Sequence, residues 1–280
     1  MSSLASRGVR PKKSLGQNFL TDPAICARIA DAANASAGTV LEIGPGAGAI
    51  TRPLLERAAH VVAIERDRDL VALLENELAA EIEGDRFRIV SGDATEVDWL
   101  PLFEGRPRPH VVAGNLPYLL TGRFLELATT HADAIDRVVF MVQLEVAERL
   151  LAAPGTAAYG ALTVFVRAAF DVSRVVVVKA GAFFPRPDVD SCVVALSPLR
   201  PRRAEEDAAF RGAVRGAFGM RRKTLRNAWR GLLGLDDATV AGAAAEAGID
   251  LGLRGETLDV DAFARFAAAL RARSAAASSG

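Results

Sequence analysis

An asparagine, a proline and a tyrosine close an apolar run in "VVAGNLPYLL", Val111 to Leu120. Together they suit one task. The Asn115 carboxamide oxygen and the backbone carbonyl of Pro117 can accept both hydrogens of an exocyclic amine, and the Tyr118 ring can stack on the base that carries it. Held in this way, the amine aims its lone pair at an electrophilic carbon. Proline helps because its fixed φ restrains the turn and it has no N–H to compete at the site. The plain alternative is a strand-ending turn, in which Asn and Pro are common.

Three other positions bear on the choice. "EIGPGAGAIT" places Gly44, Gly46 and Gly48 directly after an apolar run, where glycines let the chain turn sharply and let a ligand approach closer than a Cβ permits. Some twenty residues later Glu65 ends the next run, placed to accept hydrogen bonds from the hydroxyls of an adenosine ribose. In "SGDATEVDW", Asp93 follows a third run, where its carboxylate can receive an adenine amino group or simply cap a turn. Gly44, Gly46 and Ala49 also satisfy the dinucleotide pattern, so the glycine turn alone admits a nicotinamide oxidoreductase. Hydride transfer has no use for Asn-Leu-Pro-Tyr, however, whereas alkylation of an amine does.

The elements that must position these residues are short apolar strands alternating with amphipathic helices. "TVLEI", "HVVAIE", "FRIV", "HVVAGN" and "RVVFMVQ" are the strands, and "DLVALLENELA" and "GRFLELATT" are helical. That alternation predicts an α/β fold with a doubly wound, mostly parallel sheet. In such sheets ligands bind beyond the carboxyl ends of the strands, where all four features lie. "YGALTVFVRAAF" predicts a helix, and "SRVVVVKA" and "SCVVALSP" two more strands. Beyond Pro198 the Ala-, Arg- and Leu-rich segments "EDAAFRGAVRGAF", "RRKTLRNAWRGLL" and "VDAFARFAAALRAR" have helical periodicity. The expected division is a flexible basic tail over 1–12, a catalytic domain over 13–199, a small all-helical C-terminal domain over 200–273 and a disordered tail over 274–280.

At 280 residues and 50% apolar composition, the chain can bury a full core. Its two cysteines, Cys26 and Cys192, have no metal-ligand spacing around them, so a disulfide framework and a metal site are not expected, and a reducing cytoplasm fits. No apolar run approaches the roughly eighteen residues that span a bilayer, so the reading is neither secreted nor membrane-bound. Formal net charge is zero, but the charge is uneven. Arg7, Arg10, Lys12 and Lys13 stand near the start without an acid, and ten cations fall between Arg200 and Arg230 against Glu205, Glu206 and Asp207. Both are candidate polyanion contacts or ordinary solvated faces.

With these motifs in view, the chain resembles the small-subunit ribosomal RNA adenine N6,N6-dimethyltransferases. The likeness runs through "KKSLGQNFL", "VLEIGPGAGAIT", "VVAIERD", "SGDA", "GNLPY", "AYGALTV", "FFPRPDVDSCVV" and "AFGMRRKTLRN". It implies a Rossmann-like class I methyltransferase domain and S-adenosylmethionine held by Asn18, Leu20, Gly44, Gly46, Glu65, Asp93 and Asn115. It implies as substrate two adjacent adenines in a hairpin loop near the 3′ end of small-subunit RNA, free or in a partly assembled subunit. Leu144 and Ala161 depart from it, standing where bacterial members commonly carry Lys and Arg.

On this reading a flipped adenine stacks between Tyr118 and Phe183, the latter expected on the rim of the pocket. Gly114 is expected to leave room for the methylated amine. Lys12, Lys13, Arg221, Arg222, Lys223 and Arg226 would hold RNA phosphates. The protein is expected to be a monomer. The alternatives are a ribosome-assembly or nucleic-acid-binding factor without the reaction, and the nicotinamide oxidoreductase.

Overall fold

The computed structural model describes residues 4, 7–12 and 15–278, with side chains to residue 275. Lys13 lies outside the described residues. The chain divides into two compact units: one runs to Ala147 and resumes over Val172–Pro198, and the other comprises Glu148–Asp171 and everything from Leu199.

The first unit is built on a seven-stranded sheet. Its strands are β2 (Thr39–Ile43), β3 (His60–Glu65), β4 (Phe87–Ser91), β5 (His110–Asn115), β6 (Arg137–Gln143), β7 (Phe170–Val178) and β9 (Ser191–Pro198), in the order β4-β3-β2-β5-β6-β9-β7. A two-stranded ribbon pairs β1 (Phe19–Leu20) with β8 (Phe183–Phe184). Strands β4, β3, β2, β5 and β6 are parallel, and β9 joins β6 antiparallel. Every residue of β2 is buried, as befits a central strand covered on both faces. The chain leaves β2 toward β3 on one side and later returns to β5 on the other, so β2 and β5 flank the switch point at which such sheets bind ligands. The glycine turn follows one and Asn-Leu-Pro-Tyr the other.

Register brings the two together, with Ile43 opposite Gly114. A Cβ on Gly114 would lie 2.6 Å from the Ile43 carbonyl oxygen. The glycine lets β2 and β5 approach this closely, a role that the expectation of room for a methylated amine did not include.

The helix Pro23–Ala33 begins as the sequence predicts: the Asp22 carboxylate accepts from Ala24 N (2.9 Å) and Ile25 N (3.3 Å), and proline opens the first turn. It packs Cys26, Ile29 and Ala30 into the main core with Val40, Val111, Val139 and Val193.

The second unit has its own core around Trp229, Phe210, Phe263 and Phe266, in which Trp229 stacks on Phe266 with ring centroids 3.9 Å apart. The helix Ala161–Ala169 belongs here, because Val164 and Ala168 are buried in that core with Tyr159. This corrects the division drawn at 199: residues 148–171 fold with the helical unit. "RRKTLRNAWRGLL" is not one helix either. It forms only Leu225–Ala228, capped by Trp229, and Gly231, at φ +63°, then leads into a 3₁₀ turn over Leu232–Gly234. The last helix runs Val260–Ser278, so the backbone over 274–278 is helical where disorder was expected.

Candidate active site

Glu65, at the end of β3, is 7% exposed. Its Oε2 accepts the Gly46 N–H at 3.1 Å and its Oε1 accepts the Asp67 N–H at 2.8 Å. Burial raises the pKa of this carboxyl, against those backbone donors. Each oxygen keeps a lone pair for a further donor. Gly46 can present its N–H here because its φ is +59°, a conformation open to glycine. Above Gly44 nothing stands within 4 Å of where a Cβ would be, so a ligand has room to approach the backbone.

Beneath the turn are two polar atoms that the sequence reading passed over. Glu42 Oε2 and Thr51 Oγ1 are buried and have no hydrogen-bond partner among the described residues. They bracket the glycine turn, one at the end of β2 and one at the start of the helix Thr51–Leu55. Burial pushes the Glu42 carboxyl up to about 8; the nearby Thr51 hydroxyl tempers this, at a geometry short of a hydrogen bond, and the Glu65 charge adds to it. A lone acid inside the apolar run "TVLEI" was the available signal.

Asp93 does what its bland alternative foresaw. Oδ1 accepts from Thr95 N (2.9 Å) and Thr95 Oγ1 (2.7 Å), closing a turn, while Oδ2 faces Arg66 Nη1 at 3.3 Å. Burial pushes this carboxyl up, but Thr95 and Arg66 outweigh it and the pKa is lowered. The turn is tied to Glu65 through Gly92 N–H on the Glu65 carbonyl, 2.9 Å.

At the end of β5, Asn115 Nδ2 donates to the Asn18 carbonyl at 2.9 Å. This fixes the amide plane and leaves Oδ1, which takes no hydrogen bond from the described residues. The Pro117 carbonyl is already engaged by Leu120 N (2.9 Å) and Thr121 Oγ1 (3.4 Å). The Tyr118 and Ser191 hydroxyls share a hydrogen bond of 2.9 Å that pins the tyrosine to β9; burial raises the Tyr118 pKa, with Ser191 opposing.

Phe183 is not on a rim. The β1–β8 pairing sets it opposite Leu20, and both are 5% exposed members of the main core. Its neighbour Phe184 is the half-buried ring of the pair. Leu20, implied as a cofactor contact, can offer little beyond its main chain.

A family model described as ribosomal RNA adenine dimethylase matches residues 8–265. The chain belongs to this family. It is 44% identical over 275 residues to the ribosomal RNA small subunit methyltransferase A of Geobacter metallireducens, covering 96% of this chain and 98% of that one. It is also 44% identical to the Moorella thermoacetica protein of the same description, covering 97% and 96%. Among solved structures, the 23S rRNA methyltransferase ErmE matches with TM-score 0.66 and 28% identity over 91% of this chain and 100% of that one. A dimethyladenosine transferase from Plasmodium falciparum shares the fold, with TM-score 0.78 and 24% identity over 91% and 98%. Family membership sets aside the nicotinamide oxidoreductase that the glycine turn had left open. Among the described residues no helix is long and apolar enough to cross a membrane.

For a family that acts on RNA, the cations matter. Arg222, Lys223 and Arg226 are exposed and make no ion pair among the described residues. Two other expected phosphate contacts are spent within the chain. Lys12 Nζ pairs with Asp67 (2.5 Å) and Asp69 (2.7 Å). Arg221 Nη2 donates to the carbonyls of Ala157 (2.8 Å) and Tyr159 (3.1 Å), and its Nε meets Glu256 at 3.3 Å. Both are held by acceptors of their own unit in this structure.

Proposed function

We propose that this protein methylates N6 of two adjacent adenines in a hairpin loop near the 3′ end of small-subunit ribosomal RNA, giving each two methyl groups, as a step in subunit biogenesis in the cytoplasm. The observation that carries the reading is Asn115, whose amide is oriented by the Asn18 carbonyl so that Oδ1 is free to receive an amine hydrogen.

The residues present fit S-adenosylmethionine. There is open space over Gly44, spare acceptor capacity on Glu65, and an unpartnered Glu42–Thr51 pair at the glycine turn. Glu65 would hold the ribose hydroxyls, Gly44 and Gly46 would lie along the ligand, and Asp93 Oδ2 and the main chain at Asn18 and Leu20 would complete the site. When bound, the cofactor supplies an electrophilic methyl group.

The chain's own contribution is then positioning. Asn115 Oδ1 accepts one hydrogen of N6. The second falls to the Pro117 carbonyl once the long contact from Thr121 yields, since Leu120 N–H occupies only one of its two lone pairs. Tyr118, fixed through Ser191, offers its ring to the extruded base; stacking worth about 1–3 kcal/mol offsets much of the cost of unstacking. Both acceptors favour the positive charge that N6 acquires, and that charge makes its proton acidic enough to leave to water. Arg222, Lys223 and Arg226 are the phosphate contacts this reading keeps.

The test is transfer of labelled methyl groups to small-subunit RNA and to partly assembled subunits. Asn115→Ala is expected to lower the rate at least about 100-fold with RNA affinity unchanged. Methylation at near wild-type rate would remove Asn115 from the role.

A further inference from the structure

Asp67 begins the helix Arg68–Glu77 and is 3% exposed. Capping that helix needs one of its acceptor positions, Oδ1 to the Asp69 N–H at 3.1 Å. The rest of the carboxylate is given to a distant part of the chain. Oδ1 also accepts from Lys12 Nζ at 2.5 Å and Oδ2 accepts from Gln17 Nε2 at 2.9 Å. Lys12 and Gln17 are joined to each other as well, through Lys12 N–H on Gln17 Oε1 at 2.8 Å. The residues that follow Gln17 reach the site from two directions. The Asn18 carbonyl holds the Asn115 amide, and the Phe19 ring covers Gly46 so closely that a Cβ there would be 3.2 Å from it. On its other side Asp67 donates its own N–H to Glu65 Oε1 at 2.8 Å. One buried carboxylate thus stands between the group proposed for the ribose and the group proposed for the amine. A buried charge is costly unless it is paired and hydrogen-bonded, and here all of its partners beyond the cap come from Lys12 and Gln17.

We propose that Asp67 is a positioning residue that clasps the chain carrying Lys12, Gln17 and Asn18 against the cofactor site, and so sets both cofactor retention and the orientation of Asn115. This rests on the cofactor assignment made above. With the clasp shut, Asn18 and Phe19 are held against Asn115 and Gly46. A second fastening lies farther along, where Arg7 bonds Glu77 (2.6 and 2.7 Å) and the Ala47 carbonyl (2.8 Å). Opening the clasp therefore loosens this chain without freeing it, and a graded loss is expected.

The substitution Asp67→Asn isolates the clasp, because asparagine caps a helix as well as aspartate does and the backbone N–H to Glu65 is untouched. The full-length protein, Asp67→Asn, Lys12→Met and the double variant are titrated calorimetrically with S-adenosylmethionine and S-adenosylhomocysteine, and kcat, the KM for RNA and thermal unfolding are measured on the same samples. The inference expects the cofactor Kd to rise about tenfold in each single variant and no further in the double. kcat falls as well because Asn115 is less well held, with the KM for RNA unchanged; the melting temperature of Asp67→Asn stays close to wild type, whereas that of Lys12→Met drops because the Asp67 carboxylate loses its cation. Unchanged cofactor affinity in Asp67→Asn overturns it. So do additive losses in the double variant, or a loss that tracks lowered stability alone. Failure of the wild-type protein to bind either ligand would instead overturn the cofactor assignment, and the clasp with it.

Discussion

Glu42 is a fully buried acid in the first unit whose pKa is raised far above the ordinary glutamate range. Burial above all pushes its carboxyl up to about 8, against 4.5 for an ordinary glutamate. Between those values the native state keeps a proton that the unfolded chain has lost, so stability falls as pH rises through that window, by up to about 1.4 kcal/mol per unit. Above about 8 the native state has released its proton too and this contribution stops changing. Glu65, shifted in the same direction by burial, adds to the trend. The melting temperature is therefore expected to decline from about pH 5 to 8, and Glu42→Gln, which is neutral throughout, should flatten much of that decline. An equally steep profile in the variant would place the titration elsewhere. Asn115, Tyr118 and Glu65 could be picked out from the sequence because each follows an apolar strand with a function-bearing neighbour. Glu42 stood out only as a lone acid in the apolar run "TVLEI"; that it lacks a partner among the described residues is disclosed by packing alone.

Strands β2 and β5 tie the glycine turn to Asn115, and Gly114 sets how closely they approach. A methyl group there would press on the Ile43 main chain at 2.6 Å and on its Cβ at 3.1 Å, and main chain within a central strand has little room to retreat. Gly114→Ala is expected to cost about 2 kcal/mol in urea unfolding. It should also depress methyl transfer beyond what the stability loss explains, because the two halves of the site are pushed apart. Wild-type stability would show that the strands yield freely. The sequence made these strands plain through long apolar runs, and the alternation with helices gave their parallel arrangement. The β1–β8 ribbon was invisible because two-residue strands have no periodicity, and with it went the burial of Phe183. The allegiance of Ala161–Ala169 was hidden for a similar reason: an amphipathic face states that it will be buried, but not in which core.

Formal neutrality conceals how the chain allots its cations. Counted along the sequence, the basic stretches promise many phosphate contacts, yet Lys12 and Arg221 are consumed by carboxylates and carbonyls of their own units. Arg222, Lys223 and Arg226 remain exposed and unpaired among the described residues. Each phosphate contact displaces condensed counterions and contributes about 0.7 to 0.9 to the slope of log affinity against log salt. Replacing all three by alanine should therefore reduce that slope for small-subunit RNA by roughly two to three, with weaker binding at low salt. Cofactor affinity should not move, because none of the three bonds to any residue of the glycine turn. Arg221→Ala should differ in kind. It leaves the Ala157 and Tyr159 carbonyls without their donor, so the melting temperature should drop while the salt slope changes little. A full unit of slope lost in Arg221→Ala, with stability intact, would return that arginine to the RNA-binding set; an unchanged slope in the triple variant would remove the other three from it.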